Sequence, residues 1–155
     1  MSEDRVFMEL AIEQARLAAQ DGEVPVGAVI VRNGKVIAVG RNRRESAKNA
    51  LAHAEAEAIN AACKALGGWR LPGCELFVTL EPCPMCAGAI INSRIERVVF
   101  GAYDAKAGSC GSVTDLFSLP YNHKPSLTGG VMEEECAALL SEFFKELRAK
   151  REDER

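Results

Sequence analysis

The sequence predicts a single α/β domain in which helices cover a mixed β-sheet. Three observations indicate this fold class: an early β-hairpin signal, alternating strand-like and helix-like segments after it, and a length of 155 residues, which suits one domain with a sizeable core. The hydrophobic content of 48% and the charged content of 26% are those of an ordinary globular protein. We find no internal repeat or linker, so we expect one domain over residues 1–155.

The first half of the chain predicts a helix, a hairpin and a second helix. Apolar residues at helical spacing predict a helix in DRVFMELAIEQARLAAQ, which the segment DGEVP ends. The β-branched runs VGAVIV and KVIAVG flank RNGK, whose Asn33 and Gly34 are the strongest short-range hairpin signal. HAEAEAINAACKAL then predicts a helix that ends at Gly67 and Gly68.

The second half predicts strand–helix alternation and a closing helix. CELFVTL and IERVVFGAY predict strands on either side of the helical segment PMCAGAIINSR. A glycine-rich link, AKAGSCGS, leads through VTDLFSL to a polar, proline-bearing loop, PYNHKPSLTGG, and EEECAALLSEFFKELRAKRE predicts an amphipathic helix with a charged tail. A hairpin followed by such alternation predicts a mixed sheet with helices on both faces.

Composition limits the compartment and the partners. The start of the chain, MSEDRVFMEL, lacks the features of a signal peptide, and no stretch approaches membrane-spanning length. We therefore expect a cytoplasmic protein without a membrane partner, in which the six cysteines are thiols or metal ligands rather than disulfides. The net charge of −3 gives no general attraction for nucleic acid, so any such binding requires a local basic patch.

The segment TLEPCPMCAGA carries the strongest chemical signal. Cys83 and Cys86 follow a predicted strand and begin a helix, where three-residue spacing puts both sulfurs on one face. A redox pair of the thioredoxin kind is one interpretation of such a motif. A metal site is the other.

His53 and Glu55, in LAHAEAEAIN, favour the metal site. Taken alone, His53 is typical of a hydrogen-bonded core histidine and Glu55 of a solvated face, but this segment has no role in thiol redox chemistry. His53, Cys83 and Cys86 make three zinc ligands, and a catalytic zinc keeps three protein ligands and an open fourth position. At the first turn of a helix Glu55 is placed to move protons between water and substrate. A structural zinc would need a fourth ligand, for which Cys63, Cys74, Cys110, Cys136 and His123 show no second metal-binding spacing.

The combination HAE and PCPMC is the signature of zinc deaminases, and the resemblance extends further. The segments GEVPVGAVIV, GRNR, SRIERVVFGAYDAKAG, NH and ECAALLSEFF are similar, in order and over nearly the whole chain, to those of the bacterial tRNA-specific adenosine deaminase (TadA) family. The resemblance implies a three-layer α/β/α, cytidine-deaminase-like fold with a central mixed five-stranded sheet. It also implies a homodimer with one Zn²⁺ per subunit, and hydrolytic conversion of the wobble adenosine in a tRNA anticodon stem-loop to inosine.

The resemblance also assigns site residues. It implies that His53, Cys83 and Cys86 bind zinc, that Glu55 shuttles protons, and that Asn42 hydrogen-bonds the flipped nucleotide. Further positions that it implies for the base pocket and the anticodon loop are Val26, Ala28, Ala54, Leu80, Pro82, Asp104 and Lys106. The sequence departs from the family at Tyr103 and Cys110, which affects loop contacts rather than chemistry.

Basic residues are unevenly distributed. Phe144 lies directly before the cations of KELRAKRE, and an aromatic ring beside cations suits stacking and phosphate contact on a single-stranded loop. We therefore expect Phe144, Arg148 and Arg151, with Arg44 and Lys106, to contact RNA; the alternative for the tail is a solvated helix face. The apolar run AGAII is a candidate dimer contact or simply core.

Two other functions remain open at this point. A deaminase of a free base or nucleoside, such as guanine, cytosine or cytidine, would share the zinc chemistry without an RNA surface. A non-enzymatic zinc-binding RNA module would leave Glu55 without a role and place a protein ligand in the fourth zinc position.

Overall fold

The computed structural model describes residues 3–154. Its elements alternate as the sequence predicts, with a single 3₁₀ turn at Leu116–Ser118 before the last strand. In chain order they are α1 (Glu3–Gln20), β1 (Gly27–Arg32), β2 (Lys35–Arg41), α2 (Arg44–Ala47), α3 (Ala54–Leu66), β3 (Cys74–Leu80), α4 (Pro84–Ser93), β4 (Arg97–Ala102), β5 (Ser126–Thr128) and α5 (Glu133–Asp153).

The five strands form one mixed sheet in the order β2-β1-β3-β4-β5. The pairs β2/β1 and β1/β3 are antiparallel, whereas β3/β4 and β4/β5 are parallel. The β1–β2 hairpin turns at Asn33 and Gly34, whose φ angles of 53° and 75° are those that a two-residue hairpin turn requires. The expected hairpin and the mixed five-stranded sheet are therefore confirmed.

Alternate residues of the central strands face two separate apolar layers. On one face, Ile30, Val78 and Val98 pack with the alanines of α3 and with α4. On the other, Val29, Phe77 and Val99 pack with α1 and α5. This period of two gives the three-layer α/β/α arrangement, with α3 and α4 on one side and α1 and α5 on the other.

Gly40 of β2 allows α3 to lie directly against the sheet. A Cβ added at Gly40 would overlap the backbone of Ala54 and Ala58, so only glycine permits this approach without a shift of the helix. The start of α3 is thereby fixed against β2, and with it the position of His53.

Two short elements differ from the sequence expectation. The segment interpreted as a polar loop contains β5, three residues that pair in parallel with Arg97–Val99 of β4. The four-residue α2 follows β2, and its first-turn N–H groups at Glu45 and Ser46 donate to the buried carboxylate of Glu23. The helices described between residues 3 and 154 include none long and apolar enough to cross a membrane.

Candidate active site

The candidate site lies at one edge of the sheet, where five segments meet. Parallel β3 and β4 both end there, because Leu80 pairs with Ala102, and each strand is followed by a loop that carries polar side chains. The start of β1 lies at the same edge because β1 runs antiparallel to β3. The end of β2 lies there as well because β2 runs antiparallel to β1. Ligands of open α/β sheets are commonly bound at the carboxyl ends of parallel strands.

Two helices begin at this edge with a residue that could ligate a metal at the N-cap. His53 is the N-cap of α3, and Cys83 is the N-cap of α4, where Pro84 occupies the first helical turn. Neither side chain caps its own helix, so both are directed to another use. Cys86 lies one turn into α4, and the two helix starts therefore converge on one point, as the sequence predicts.

The side chains of His53, Cys83 and Cys86 form a group with metal-ligand geometry. Their ligand atoms lie within 4.8 Å of one another, and each Sγ is 3.6 Å from Nδ1 of His53. A tetrahedral zinc bonded to sulfur at about 2.3 Å and to nitrogen at about 2.0–2.1 Å would separate these atoms by about 3.6 Å. The distances from Nδ1 of His53 to both sulfurs therefore fit a zinc ion.

No fourth Cys, His, Asp or Glu joins this group among residues 3–154. Cys63, Cys74, Cys110 and Cys136 are free thiols elsewhere in the structure, and Nε2 of His123 lies 2.6 Å from the carbonyl oxygen of Ile95. A closed structural zinc site needs four protein ligands. The three-ligand group instead has the composition of an open, catalytic site.

The two thiols differ in their protonation preference. A hydrogen bond from Cys86 and a contact with His53 lower the pKa of Cys83 to about 4, although partial burial opposes this. The same Cys83–Cys86 hydrogen bond, together with burial, raises the pKa of Cys86. The N-termini of α3 and α4 carry partial positive charge, which favours thiolates and other anions at this point.

Glu55 lies in the first turn of α3 and is only 4% exposed. Burial is the main reason that the pKa of its carboxyl is raised, to about 7, and the charge of Cys83 adds to this effect. A buried carboxyl beside the group of His53, Cys83 and Cys86, called the metal group below, and at the wall of a cavity has the position of a general acid–base.

A cavity of about 540 Å³ opens onto this group. It has the size of a small-molecule or nucleoside pocket, and most residues that the sequence assigns to the site line it. These are His53, Glu55, Cys83, Val26, Asn42, Arg44, Ala54, Leu80, Asp104, Lys106 and Phe144.

The other predicted residues lie outside the cavity lining. Ala28 is fully buried in the apolar layer under α3 and is not among the residues that line the cavity. Pro82 and Cys86 are buried directly behind the lining. Arg148 and Arg151 are exposed on α5, four and seven residues after the lining residue Phe144.

Asn42 is held firmly at the cavity wall. It is 6% exposed, its Nδ2 donates to the carbonyl of Val24 at 3.2 Å, and its Oδ1 accepts from the N–H of Arg44 at 3.1 Å. These bonds fix the orientation of the amide and leave one further N–H and one lone pair for another partner.

Sequence reasoning missed six residues of the lining. Glu81 contributes a buried carboxylate, and the others contribute mainly apolar surface: Val24, Tyr103, Ala105, Ala107 and Leu140. Glu81 had a sequence signal, since a carboxylate at the end of an apolar strand and two residues before a ligand cysteine is unusual. The other five carry no chemical signal that separates them from core or surface residues.

Comparison with known proteins agrees with this site. A family model described as MafB19-like deaminase matches residues 1–148. The chain is 52% identical over 152 residues to the tRNA-specific adenosine deaminase of Bacillus subtilis, covering 97% of this chain and 94% of the relative.

Two solved structures resemble this chain to different degrees. One, from a study of A-to-I editing by tRNA:A34 deaminases, is 49% identical with a TM-score of 0.84, covering 86% of this chain and 98% of that one. The guanine deaminase of Nitrosomonas europaea is 29% identical with a TM-score of 0.75, covering 90% and 83%.

The fold and the histidine–cysteine–cysteine group define a deaminase of the cytidine-deaminase-like class. Similarity over nearly the full length of both chains narrows this class. The chain belongs to the MafB19-like deaminases and, among them, to the family of tRNA-specific adenosine deaminases.

Proposed function

We propose that this protein deaminates the wobble adenosine of a tRNA anticodon stem-loop to inosine by hydrolysis. The observation that carries the proposal is a single cavity whose lining joins the metal group and Glu55 to Asp104, Lys106 and Phe144. A deaminase of free bases needs the inner part of such a cavity but has no use for charged and aromatic residues at its mouth. Relatives that are 52% and 48% identical over 97% and 96% of this chain are named tRNA-specific adenosine deaminases.

His53, Cys83 and Cys86 would hold one zinc ion per subunit, in agreement with their mutual distances. A zinc ion with three protein ligands lowers the pKa of water at its open fourth position and so supplies a nucleophile at neutral pH. The two thiolate ligands make the ion a weaker Lewis acid than a three-histidine site would, which increases the need for a nearby proton acceptor.

Glu55 is that proton acceptor. Water adds to C6 of adenine, and the C6–N bond to the amino group breaks, so that ammonia leaves and inosine remains. The Glu55 carboxylate takes a proton from the attacking water and delivers protons to ring N1 and to the departing nitrogen. Because Glu55 is 4% exposed, bulk water does not compete for these transfers.

The remaining lining residues would position the nucleotide. Val26 and Leu80 offer apolar contact, and Asn42 retains one N–H and one lone pair for hydrogen bonding to the nucleotide. Ala54 is the first residue of α3, where the backbone N–H has no partner within the helix and is available to the base. Pro82, buried beside Cys83, supports the wall rather than contacting substrate.

A stripe on α5 would bind the phosphates that flank the flipped base. Leu140 and Phe144 line the cavity, and Arg148 and Arg151 follow at four and seven residues from Phe144, which places them on the same face of the helix. Arg44 and Lys106 are exposed on two other sides of the cavity mouth. This local patch answers how a chain of net charge −3 holds an anionic RNA.

We also propose that the active form is a homodimer that acts in the cytoplasm, where tRNA is used. Along α4, Ala87 and Ile90 are buried in the core, whereas Gly88 is exposed with open space around it. The AGAII segment therefore has an inner face that belongs to the core and an outer face on which a second helix can approach closely. Sedimentation at working concentrations distinguishes a dimer from a monomer.

The activity is tested by incubating the zinc-loaded protein with an anticodon stem-loop that carries adenosine at position 34. Mass spectrometry of the digested RNA should show inosine, with release of one ammonia per inosine. Free adenosine, cytosine and guanine serve as parallel substrates. Ammonia from guanine or cytosine with an unreacted stem-loop would instead establish the free-base alternative, and no reaction with any of the four would refute the proposed activity.

A further inference from the structure

Glu81 occupies the junction between β3 and the metal-binding turn. It follows Leu80, the last residue of β3, and lies two positions before Cys83. Its side chain is 1% exposed. A carboxylate that is buried to this degree requires strong hydrogen bonds in compensation.

The carboxylate of Glu81 receives four hydrogen bonds from one loop. Its Oε1 accepts from the N–H of Asp104 at 3.0 Å and from the hydroxyl of Ser112 at 2.5 Å. Its Oε2 accepts from the N–H groups of Cys110 at 3.1 Å and of Ser112 at 3.0 Å. All four donors belong to residues 104–112, the loop that follows β4.

Backbone hydrogen bonds connect the turn at residues 81–82 to the end of β4 and to the 104–112 loop. The N–H of Glu81 donates to the carbonyl of Ala102 at 2.8 Å, and the N–H of Ser109 donates to the carbonyl of Pro82 at 2.9 Å. Gly108 lies against the Glu81 carboxylate so closely that a Cβ there would overlap its Cδ and Oε1. The loop is therefore built around this side chain.

This loop carries the outer wall of the cavity. Asp104 and Lys106 line the cavity beyond the metal group, and Oδ1 of Asp104 in turn accepts from the N–H of Lys106 at 3.0 Å. A continuous series of hydrogen bonds thus runs from Glu81 through Asp104 to Lys106. Displacement of the loop would move the RNA-facing side chains while the ligands on α3 and α4 stay in place.

We propose that Glu81 is a positioning residue that sets the place of the 104–112 loop relative to the metal group, and so governs binding of the RNA loop rather than the chemical step. This inference rests on the proposed function. Glu81 acts through Asp104 and Lys106 and does not itself touch the reacting atoms.

Glu81→Gln is the direct test. The glutamine amide keeps one acceptor oxygen and replaces the other with an NH₂ group, which cannot accept, so two of the four donors lose their partner. Because a hydrogen bond to a buried charged acceptor is worth on the order of tenfold in an equilibrium constant, we expect KM for the stem-loop to rise about tenfold or more. We expect kcat to stay within about threefold, because the lost interactions bind substrate and transition state alike.

Two further measurements separate positioning from a general structural defect. The zinc content of Glu81→Gln should equal that of the wild type. Hydrogen exchange at the amides of Asp104, Cys110 and Ser112 should be faster than in the wild type, a readout that does not depend on activity. If wild-type protein fails to make inosine, the proposed function fails, yet the exchange result still decides whether Glu81 holds the loop.

Three additional variants complete the design. Ser112→Ala removes one donor to Glu81 and should raise KM by a smaller factor. Gly108→Ala pushes the loop away while leaving Glu81 intact and should reproduce the rise in KM, which keeps the test decisive if Glu81→Gln folds poorly. Glu13→Gln, at an exposed carboxylate of α1, is the matched control and should match the wild type.

The outcomes distinguish a residue that positions the loop from one that supports the metal-binding turn. A raised KM with preserved kcat and zinc, in Glu81→Gln or in Gly108→Ala, supports positioning. Loss of zinc, or a fall in kcat larger than the rise in KM, would assign Glu81 to the metal turn instead and overturn the inference. Unchanged KM in both variants, or unchanged exchange of the three amides, would overturn it as well.

Discussion

The proposed phosphate-binding stripe on α5, formed by Phe144, Arg148 and Arg151, predicts how strongly RNA binding depends on salt concentration. Changing Arg148 and Arg151 together to alanine removes two exposed cations that lie four and seven residues beyond Phe144. At about 100° per residue, both fall within about 40° of Phe144 around the helix axis, so they face the same side as the cavity mouth. We expect weaker binding of the stem-loop and a smaller dependence of binding on salt.

The size of the effect follows from counterion release. The logarithm of the association constant falls with the logarithm of salt concentration by about 0.7 per phosphate contact on a single strand, so two lost contacts reduce the slope by up to about 1.4. When salt rises from about 50 to about 200 mM, the fold-loss of affinity should therefore be about sevenfold smaller for the double variant than for the wild type. Fluorescence anisotropy with labelled stem-loop across this range measures both affinity and slope.

Lys145→Ala with Lys150→Ala is the matched control. It removes the same total charge from the same helix, but these lysines lie about 100–120° away from Phe144 around the axis. A smaller change in this control assigns binding to the stripe. If the arginine variant kept the wild-type affinity and slope, or if the lysine variant lost as much, the idea of a phosphate-binding stripe would be refuted and RNA recognition would lie nearer Arg44 and Lys106.

Three further predictions concern the metal group, the proton transfer and acid stability. Cys86→Ser should lose most of its zinc, because a neutral hydroxyl replaces a thiolate ligand; metal analysis after desalting measures this. Glu55→Gln should retain zinc while inosine formation falls by about 10²–10⁴-fold, the usual contribution of a general acid–base. Asp4→Asn should destabilise the protein at pH 7 by about 1–2 kcal/mol, since it breaks a charged pair with Arg97.

The loss of stability caused by Asp4→Asn should depend on pH in a defined direction. The hydrogen bond from Arg97 is the main reason that the pKa of Asp4 lies below its ordinary value, and the two groups meet at 2.6 and 2.9 Å. A lowered folded-state pKa contributes stability that is present above the unfolded pKa of about 3.9 and disappears as pH falls through the folded value. The difference between wild type and Asp4→Asn in urea unfolding should therefore close below about pH 4.

Matched controls exist for these variants as well. Cys63→Ser, at a free thiol near the other end of α3, should keep its zinc, and full zinc retention by Cys86→Ser would remove that residue from the metal site. Glu57→Gln, on the same helix as Glu55, should stay active; near-wild-type activity of Glu55→Gln would mean that another group moves the proton. A stability gap for Asp4→Asn that did not shrink at all as pH fell below about 4 would show that charge pairing with Arg97 is not its cause.

The regular elements were predictable because their signals are local. The hairpin follows from Asn33 and Gly34, and α3 follows from a helical run that a glycine in left-handed conformation ends at position 67. β5 was not predictable in the same way. It has three residues, of which Ser126 and Thr128 are polar, so no periodic pattern can develop, and its pairing with β4 comes from residues about 29 positions earlier in the chain.

The same distinction between local and distant causes applies to the site. The metal group was predictable from residue type and from the position of His53 and Cys83 at helix starts. Glu81 is conspicuous in the sequence, but its partners were not predictable, because its four donors come from a loop more than twenty residues later. Glu23 likewise holds α2 from a similar distance. Ala28, which the resemblance named, is fully buried in the layer under α3, so a role for it at the pocket stays a prediction.

The two helix starts show why the site also departs from local rules. Serine, threonine, aspartate and asparagine are the preferred N-caps, and replacing one of them with a residue that cannot cap costs about 1 kcal/mol. α3 and α4 instead have His53 and Cys83 at this position, and neither makes a capping hydrogen bond. Both helix ends therefore give up local stability, and the partial positive charge of each helix start lies at the edge of the sheet where the cavity opens. That charge favours thiolates at Cys83 and Cys86 and would favour an anion formed in the proposed reaction, which gives a physical reason for both helices to begin without a capping side chain.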